Sequence, residues 1–179
     1  VIVDVEPDTL LIDPEKVEQS ITDKTKAIIA VHIAGAPANM TRLKEIAQKH
    51  NLRLIEDSAQ AVGARWENTG VGAIGDMGTF SFQSSKNVTA GEGGIILSND
   101  EEYANVAWSL ANVGRVRDGG WYQHERIGWN LRMTEFQAAI ILGQMTRLKE
   151  QVELREKNAA MLTERLAQID GINVMRRDP

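Results

Sequence analysis

The chain has 179 residues, 42% of them hydrophobic and 25% charged, with a formal net charge of −5. That length suffices for one domain with a sizeable core, and an acidic balance with no basic stripe excludes broad nucleic-acid binding. There is no cysteine, which rules out disulfides and thiolate metal sites. No apolar run approaches the roughly 20 residues of a membrane span, and Val1-Ile-Val-Asp4 lacks the basic lead and apolar stretch of a signal peptide, so the expected location is the cytoplasm.

Val1 to Val5 alternates apolar and polar residues and predicts a strand. Asp13, Pro14 and Glu15 form a helix start (N-cap, first helical position, acid in the first turn), with the helix running to about Ser20. Thr25 to Ile33 is a continuous apolar run and predicts a buried strand. Gly35 to Asn39 is a loop. Met40 to Asn51 has helical spacing, with Met40, Leu43, Ile46 and Ala47 on one face. Leu52 to Glu56 is the next strand, and this strand–helix–strand order predicts a right-handed crossover and a parallel pair.

Met77 to Phe82 and Gly94 to Ser98 predict two further strands, and Asn99 or Asp100 caps a helix over about Glu101 to Asn112. Gly114 to Asn130 is a long loop rich in Gly, Arg and aromatic residues; loops of this length are usually functional or mobile. Thr134 to about Ile169 reads as one long helix followed by Gly171. It packs on its own domain, or it links domains or builds a dimer surface; both readings stand, and its length favours a spanning role. The chain begins without Met inside a strand-like run and stops at Pro179 as another extended segment begins, so it is expected to be a piece of a longer protein.

Several patterns are weaker than they look. Gly70-Val-Gly-Ala-Ile-Gly75 has G-x-G-x-x-G spacing, but a dinucleotide site needs a strand before it and a helix after it. Here polar residues precede and a strand follows, so the glycines are expected to make tight turns at positive φ. His32, His50 and His124 lie far apart without a neighbouring acid cluster, so no metal site is expected. No G-x-S-x-G elbow supports Ser/His/Asp hydrolysis.

The chemistry concentrates at two residues. Asp57 ends a strand that is otherwise largely apolar, where an acid is costly without a partner. It either caps the following turn near Ala59 or holds a proton on a heterocyclic ring nitrogen. Lys86 follows Phe80-Ser-Phe-Gln-Ser-Ser85 and precedes Ala90-Gly-Glu-Gly-Gly94. Most lysines are solvated surface residues, but hydroxyls and glycines around this one bring donors close to an anion. In an open α/β sheet ligands collect at the carboxyl ends of strands, so Asp57 and Lys86 are expected to face one crevice. An acid for a ring nitrogen and an amine for a Schiff base are the minimum kit of a pyridoxal phosphate enzyme.

The blocks Val31 to Met40, Glu56 to Ala64, Gly75 to Phe82, Lys86 with Gly91 to Gly94, and Gly128 to Met133 with Glu135 and Gln137 to Ala139 occur in this order. In these blocks the chain resembles the DegT/DnrJ/StrS sugar aminotransferases, within the aspartate aminotransferase superfamily. The resemblance implies a three-layer α/β/α sandwich with a mostly parallel sheet, residues 1–150 forming part of the cofactor-binding large domain. Residues 151–179 would be the end of a connecting helix and the start of a small domain.

It also implies roles, residue by residue. Asp57 would bind the pyridine nitrogen and Ala59 pack on the ring. Gln60 would bond the phenolic oxygen, and Ser81, with Gln83 close by, would bind the phosphate. Lys86 would form the Schiff base and shuttle the proton. Asn130 would reach the phosphate in the neighbouring subunit of a homodimer. The implied reaction passes an amino group from glutamate or glutamine to a keto-sugar or keto-cyclitol, with the run Phe82 to Glu92 nearest the branch acting on inososes. The family's N-terminal Gly-Thr turn and stacking aromatic are not in this sequence, so the piece alone is expected to bind cofactor weakly or not at all. Two rivals are a dehydratase of the same family, whose members carry histidine in place of the lysine, and a non-catalytic scaffold that keeps the fold. A nicotinamide oxidoreductase resting on Gly70 to Gly75 is a third; it and the scaffold rank far below amino transfer.

Overall fold

The computed structural model describes residues 1–176. In chain order the elements are α1 (Pro14–Gln19), β1 (Ala27–Val31), α2 (Met40–Lys49), β2 (Arg53–Asp57), β3 (Arg65–Trp66), β4 (Thr69–Gly70), β5 (Met77–Ser81), β6 (Gly94–Ser98), α3 (Glu101–Ala111), α4 (Glu135–Met145) and α5 (Leu148–Leu166). One sheet has the order β1-β2-β5-β6. β1, β2 and β5 are parallel, with Val31 beside Asp57 and Asp57 beside Thr79, whereas β6 runs antiparallel to β5. This is the mostly parallel α/β architecture expected. β3 and β4 form a separate two-residue hairpin.

Side chains alternate along a strand, so neighbouring residues point to opposite sheet faces. Ile28, Ala30 and Leu54 project to one face and are buried against Met40, Leu43, Ile46 and Ala47 of α2 and Val17 of α1. The 3.6-residue spacing of the α2 apolar positions is what lays that stripe on the sheet. Asn39 caps α2 by accepting from the Arg42 amide, and Asp13 caps α1 by accepting from the Glu15 and Lys16 amides. The other sheet face is open, with Ile29 58% and Val31 41% exposed. Asp57 lies on that open face.

A second cluster joins Phe82, Val88 and Ile141, with Phe80, Val62, Met133 and Leu148 packed around them. It fastens the loop after β5 to α4.

Three expectations need correction. Val1 to Val5 is not a strand: Val5 makes one isolated antiparallel bridge to Ile12, and Val1 and Ile2 are fully exposed. Alternation alone makes no strand without a neighbouring edge. The long helix from Thr134 to Ile169 is two helices, broken at Thr146 and Arg147. Gly143 weakens the last turn of α4, and the Thr146 hydroxyl donates to the Gly143 carbonyl at 2.8 Å. The hairpin β3–β4 falls in a stretch read only as polar, with Glu67 in the left-handed region at its turn. The extended segment expected at the chain's end lies mostly outside the described residues. Residue 150 falls in the first turn of α5, which continues unbroken to Leu166.

Candidate active site

The carboxyl ends of β1, β2 and β5 share one sheet edge, and the loop 82–93 leaves β5 there before the chain returns as β6. Asp57 ends β2, Ser81 ends β5, and Lys86 is in that loop. The topology therefore places the acid and the amine on the same edge.

Asp57 takes the first of the two roles its position allowed and leaves one oxygen unused. One oxygen caps the turn, accepting from the Ala59 amide at 3.0 Å. The second oxygen has no hydrogen bond among the described residues. Its strand neighbours on the same face are Val31 and Thr79. The carboxylate is thus half committed, half open, on an uncovered face.

Gln60 follows on the same loop. Its carbonyl oxygen accepts from the Ala34 amide at 2.7 Å, which joins the loop after β2 to the turn after β1. That leaves the Gln60 amide NH₂ with donors to spend. The Ser81 hydroxyl accepts from the Gln83 amide at 3.3 Å, so its own proton can donate outward. Gln83 is occupied locally. Its oxygen accepts from the Ser85 amide and hydroxyl at 2.8 and 2.7 Å, and its nitrogen donates to Ser84 at 2.7 Å. Lys86 closes the same turn by donating its backbone N–H to the Gln83 carbonyl at 3.0 Å. The Lys86 ammonium has no acidic partner among the described residues.

Asn130 is placed apart. It sits in the long loop, bridged through its backbone to Asn112 at the end of α3, and its side chain is exposed without a described partner. Trp129 and Leu131 on either side are also exposed.

Glu56, next to Asp57, is the residue that the sequence reading missed. It points to the opposite, covered face and is fully buried. Its carboxylate accepts four hydrogen bonds: from His32 Nε2 (3.1 Å) and the Gly72, Ile74 and Gly75 amides (2.7 Å each). Burial alone would push this carboxyl up. The His32 ring and the three amides outweigh burial and hold it below its ordinary value. His32 Nδ1 accepts from the Ala38 amide at 3.0 Å, so the ring proton belongs on Nε2, facing Glu56. The G-x-G-x-x-G run is therefore a wrap around a buried carboxylate. The expected positive φ holds at Gly72, at +85°, but not at Gly70 or Gly75. An acid inside an apolar strand, followed some fifteen residues later by spaced glycines, was the available signal. Among the described residues no three His, Asp or Glu side chains could hold a metal ion together.

The family model described as the DegT/DnrJ/EryC1/StrS aminotransferase family matches residues 1–179, and the chain belongs to that family. It is 44% identical over 173 residues to the L-glutamine:2-deoxy-scyllo-inosose aminotransferase of Streptomyces paromomycinus, covering 92% of this chain and 41% of that protein. Among solved structures it is similar to 3-amino-5-hydroxybenzoic acid synthase, with a TM-score of 0.94, 39% identity, and coverage of 99% of this chain and 47% of the other. It is also similar to the E. coli GDP-4-keto-6-deoxy-D-mannose-3-dehydratase with bound hydrated PLP: TM-score 0.91, 28% identity, covering 98% and 49%. The chain thus spans less than half the length of these relatives.

Proposed function

We propose that the protein carrying this chain is a pyridoxal phosphate enzyme that passes an amino group from glutamine or glutamate to the ketone of a keto-cyclitol or keto-sugar. The observation that carries this reading is the state of Asp57, with one oxygen pinned by the Ala59 amide and the other open on an uncovered sheet face. The Lys86 loop leaves from the same edge.

The donor set fits the cofactor. A protonated pyridine needs one carboxylate oxygen, which Asp57 has open. A phenolic oxygen needs a donor, and the Gln60 NH₂ is uncommitted because its carbonyl is held by Ala34. A phosphate needs short donors close to exposed backbone, which the Ser81 and Ser84 hydroxyls supply, since each only accepts within the loop. Gln83 would act by shaping the Ser84–Ser85 turn, since its amide is spent on Ser84 and Ser85. Ala59, a small residue two positions beyond Asp57, would pack on the ring.

When bound, pyridoxal phosphate supplies an aldehyde that can bond an amine and a cationic ring that draws electrons from the carbon next to that amine. Asp57 keeps the ring nitrogen protonated through its open oxygen, a charge-assisted bond. Lys86 holds the cofactor through its Nζ. When not bonded to the cofactor, the same Nζ would be the base that accepts the proton from the donor's α-carbon. Asn130 would serve the phosphate of a neighbouring copy, which makes the active enzyme a homodimer with shared sites. The lysine at position 86 is the ground for preferring amino transfer over dehydration. The named activity of the Streptomyces paromomycinus relative supports glutamine as donor and an inosose as acceptor. Cytoplasmic location fits such small-molecule substrates, and no helix among the described residues is long and apolar enough to cross a membrane.

The test uses the full-length protein with pyridoxal phosphate, 2-deoxy-scyllo-inosose and glutamine labelled with ¹⁵N at the α-amine. Mass spectrometry should find the label in an aminocyclitol. Label that stays in glutamine for this and a panel of keto-sugars refutes the reading.

A further inference from the structure

Among the described residues, the side-chain hydrogen bonds that reach the backbone of the Lys86 loop from outside come from one helix. Within the loop, the Phe82 carbonyl accepts from the Ala90 amide and from the Thr89 hydroxyl, both at 3.0 Å. Val88 is fully buried, two residues beyond Lys86. The rest of the anchorage comes from α4. Gln144 grips Thr89 on both sides of its backbone: its oxygen accepts from the Thr89 amide at 3.2 Å, and its nitrogen donates to the Thr89 carbonyl. One turn from the other end of α4, Gln137 donates to the Glu92 carbonyl at 3.0 Å while its oxygen closes the N-terminal cap on Thr134. Gln137, Ile141 and Gln144 recur at four and three residues, so they share one helix face. Ile141 packs between them against Phe82 and Val88.

A loop backbone is usually paired with water or with itself. Here two side-chain amides, 45 and 55 residues away in sequence, complete it. Bidentate contact with both backbone groups of one residue fixes position as well as orientation. Thr89 is three residues from Lys86, so what holds Thr89 sets where the Lys86 amine stands relative to the Asp57 edge.

We propose that Gln144 is a positioning residue for Lys86, acting with Gln137 as a two-point clamp from α4 on the lysine loop. The inference rests on the function proposed above for its cofactor readout, and on the loop alone for the other. Without the clamp the amine samples more positions, so its bond to the cofactor and the protonation of that bond both change.

The experiment uses the full-length protein, wild type and Gln144→Leu, which keeps the volume and removes both hydrogen bonds. Without cofactor, hydrogen exchange is measured at amides 86–90. Thr89 should exchange about tenfold faster in the variant, as loss of a half-buried hydrogen bond implies, with the sheet amides unchanged. With pyridoxal phosphate, the absorbance of the lysine-bound cofactor is followed against pH. Its midpoint should move by at least half a unit, and kcat should fall more than KM rises. Should Gln144→Leu not fold, Gln144→Asn keeps the amide but is one methylene too short to reach both groups. Faster exchange with an unmoved pH midpoint makes Gln144 merely structural and overturns the proposal. Unchanged exchange overturns it as well. If the wild type carries no cofactor on Lys86, the enzyme reading fails, and the exchange data alone decide the clamp.

Discussion

Replacing Glu56 by Gln keeps the shape of the side chain and changes only what its second oxygen can do. The carboxylate has two donors on each oxygen: Ile74 and Gly75 amides on one, the Gly72 amide and His32 Nε2 on the other. Glutamine has one oxygen, so its NH₂ must face two donors whichever way it is turned. His32 cannot relieve this by moving its proton to Nδ1, because Nδ1 would then face the Ala38 amide. Every arrangement leaves two buried donors unpaired, at about 1–3 kcal/mol each. A loss of about 3–5 kcal/mol is expected from the two unpaired donors, a large fraction of a typical stability of about 5–15 kcal/mol. Urea unfolding of the cofactor-free protein should show it as a midpoint shift of about 1–2 M. The Gly72, Ile74 and Gly75 amides should lose protection first.

The pH dependence supplies a second arm. Glu56 is held below its ordinary value of 4.5, so its contribution is complete above that pH and disappears as pH falls through the lower folded value. The gap between wild type and Glu56→Gln should therefore be full at neutral pH and close below about pH 4.5. A Glu56→Gln protein within about 1 kcal/mol of wild type at pH 7 would refute the four-donor account.

Asp57→Asn keeps an oxygen for the Ala59 amide, so the cofactor-free protein should unfold within about 1 kcal/mol of wild type. Turnover should nonetheless fall by about 10²–10⁴-fold, a split that activity assays and thermal melts together will show. Val88→Ala removes two methylene equivalents from a fully buried site. It should cost about 2 kcal/mol by urea melt and increase proteolysis within 83–92. A Cβ at Gly78 would lie 2.0 Å from the Gly72 carbonyl oxygen, so β5 cannot accept a side chain there without moving the Glu56 wrap. Gly78→Ala should cost about 3 kcal/mol or more and yield little soluble protein, whereas the exposed Gly91→Ser should be soluble.

Local signals made most of the fold legible. The apolar run around Ile28 and Ala30, the 3.6-residue stripe of α2 and the Asp13–Pro14 start each act within a few residues, and each element formed where they placed it. The place of Asp57 at the end of β2 was legible because an acid closes an apolar strand. What failed depended on partners. Val1 to Val5 alternates but meets no strand edge, and the α4–α5 break depends on a hydroxyl turning back on Gly143. Glu56, His32, Gln137 and Gln144 work through contacts 16 to 55 residues away, and no window along the chain contains both halves. At Gln144 the residue type itself carried no hint, since a polar side chain on a helix is ordinarily a solvated one.

Borohydride reduction of the full-length protein with pyridoxal phosphate, followed by peptide mapping, tests the central claim most directly. The account predicts a phosphopyridoxyl group on Lys86 and on no other lysine, absent from Lys86→Ala. An unmodified Lys86, with cofactor washing freely from the wild-type protein, would contradict it and leave a fold kept without its chemistry.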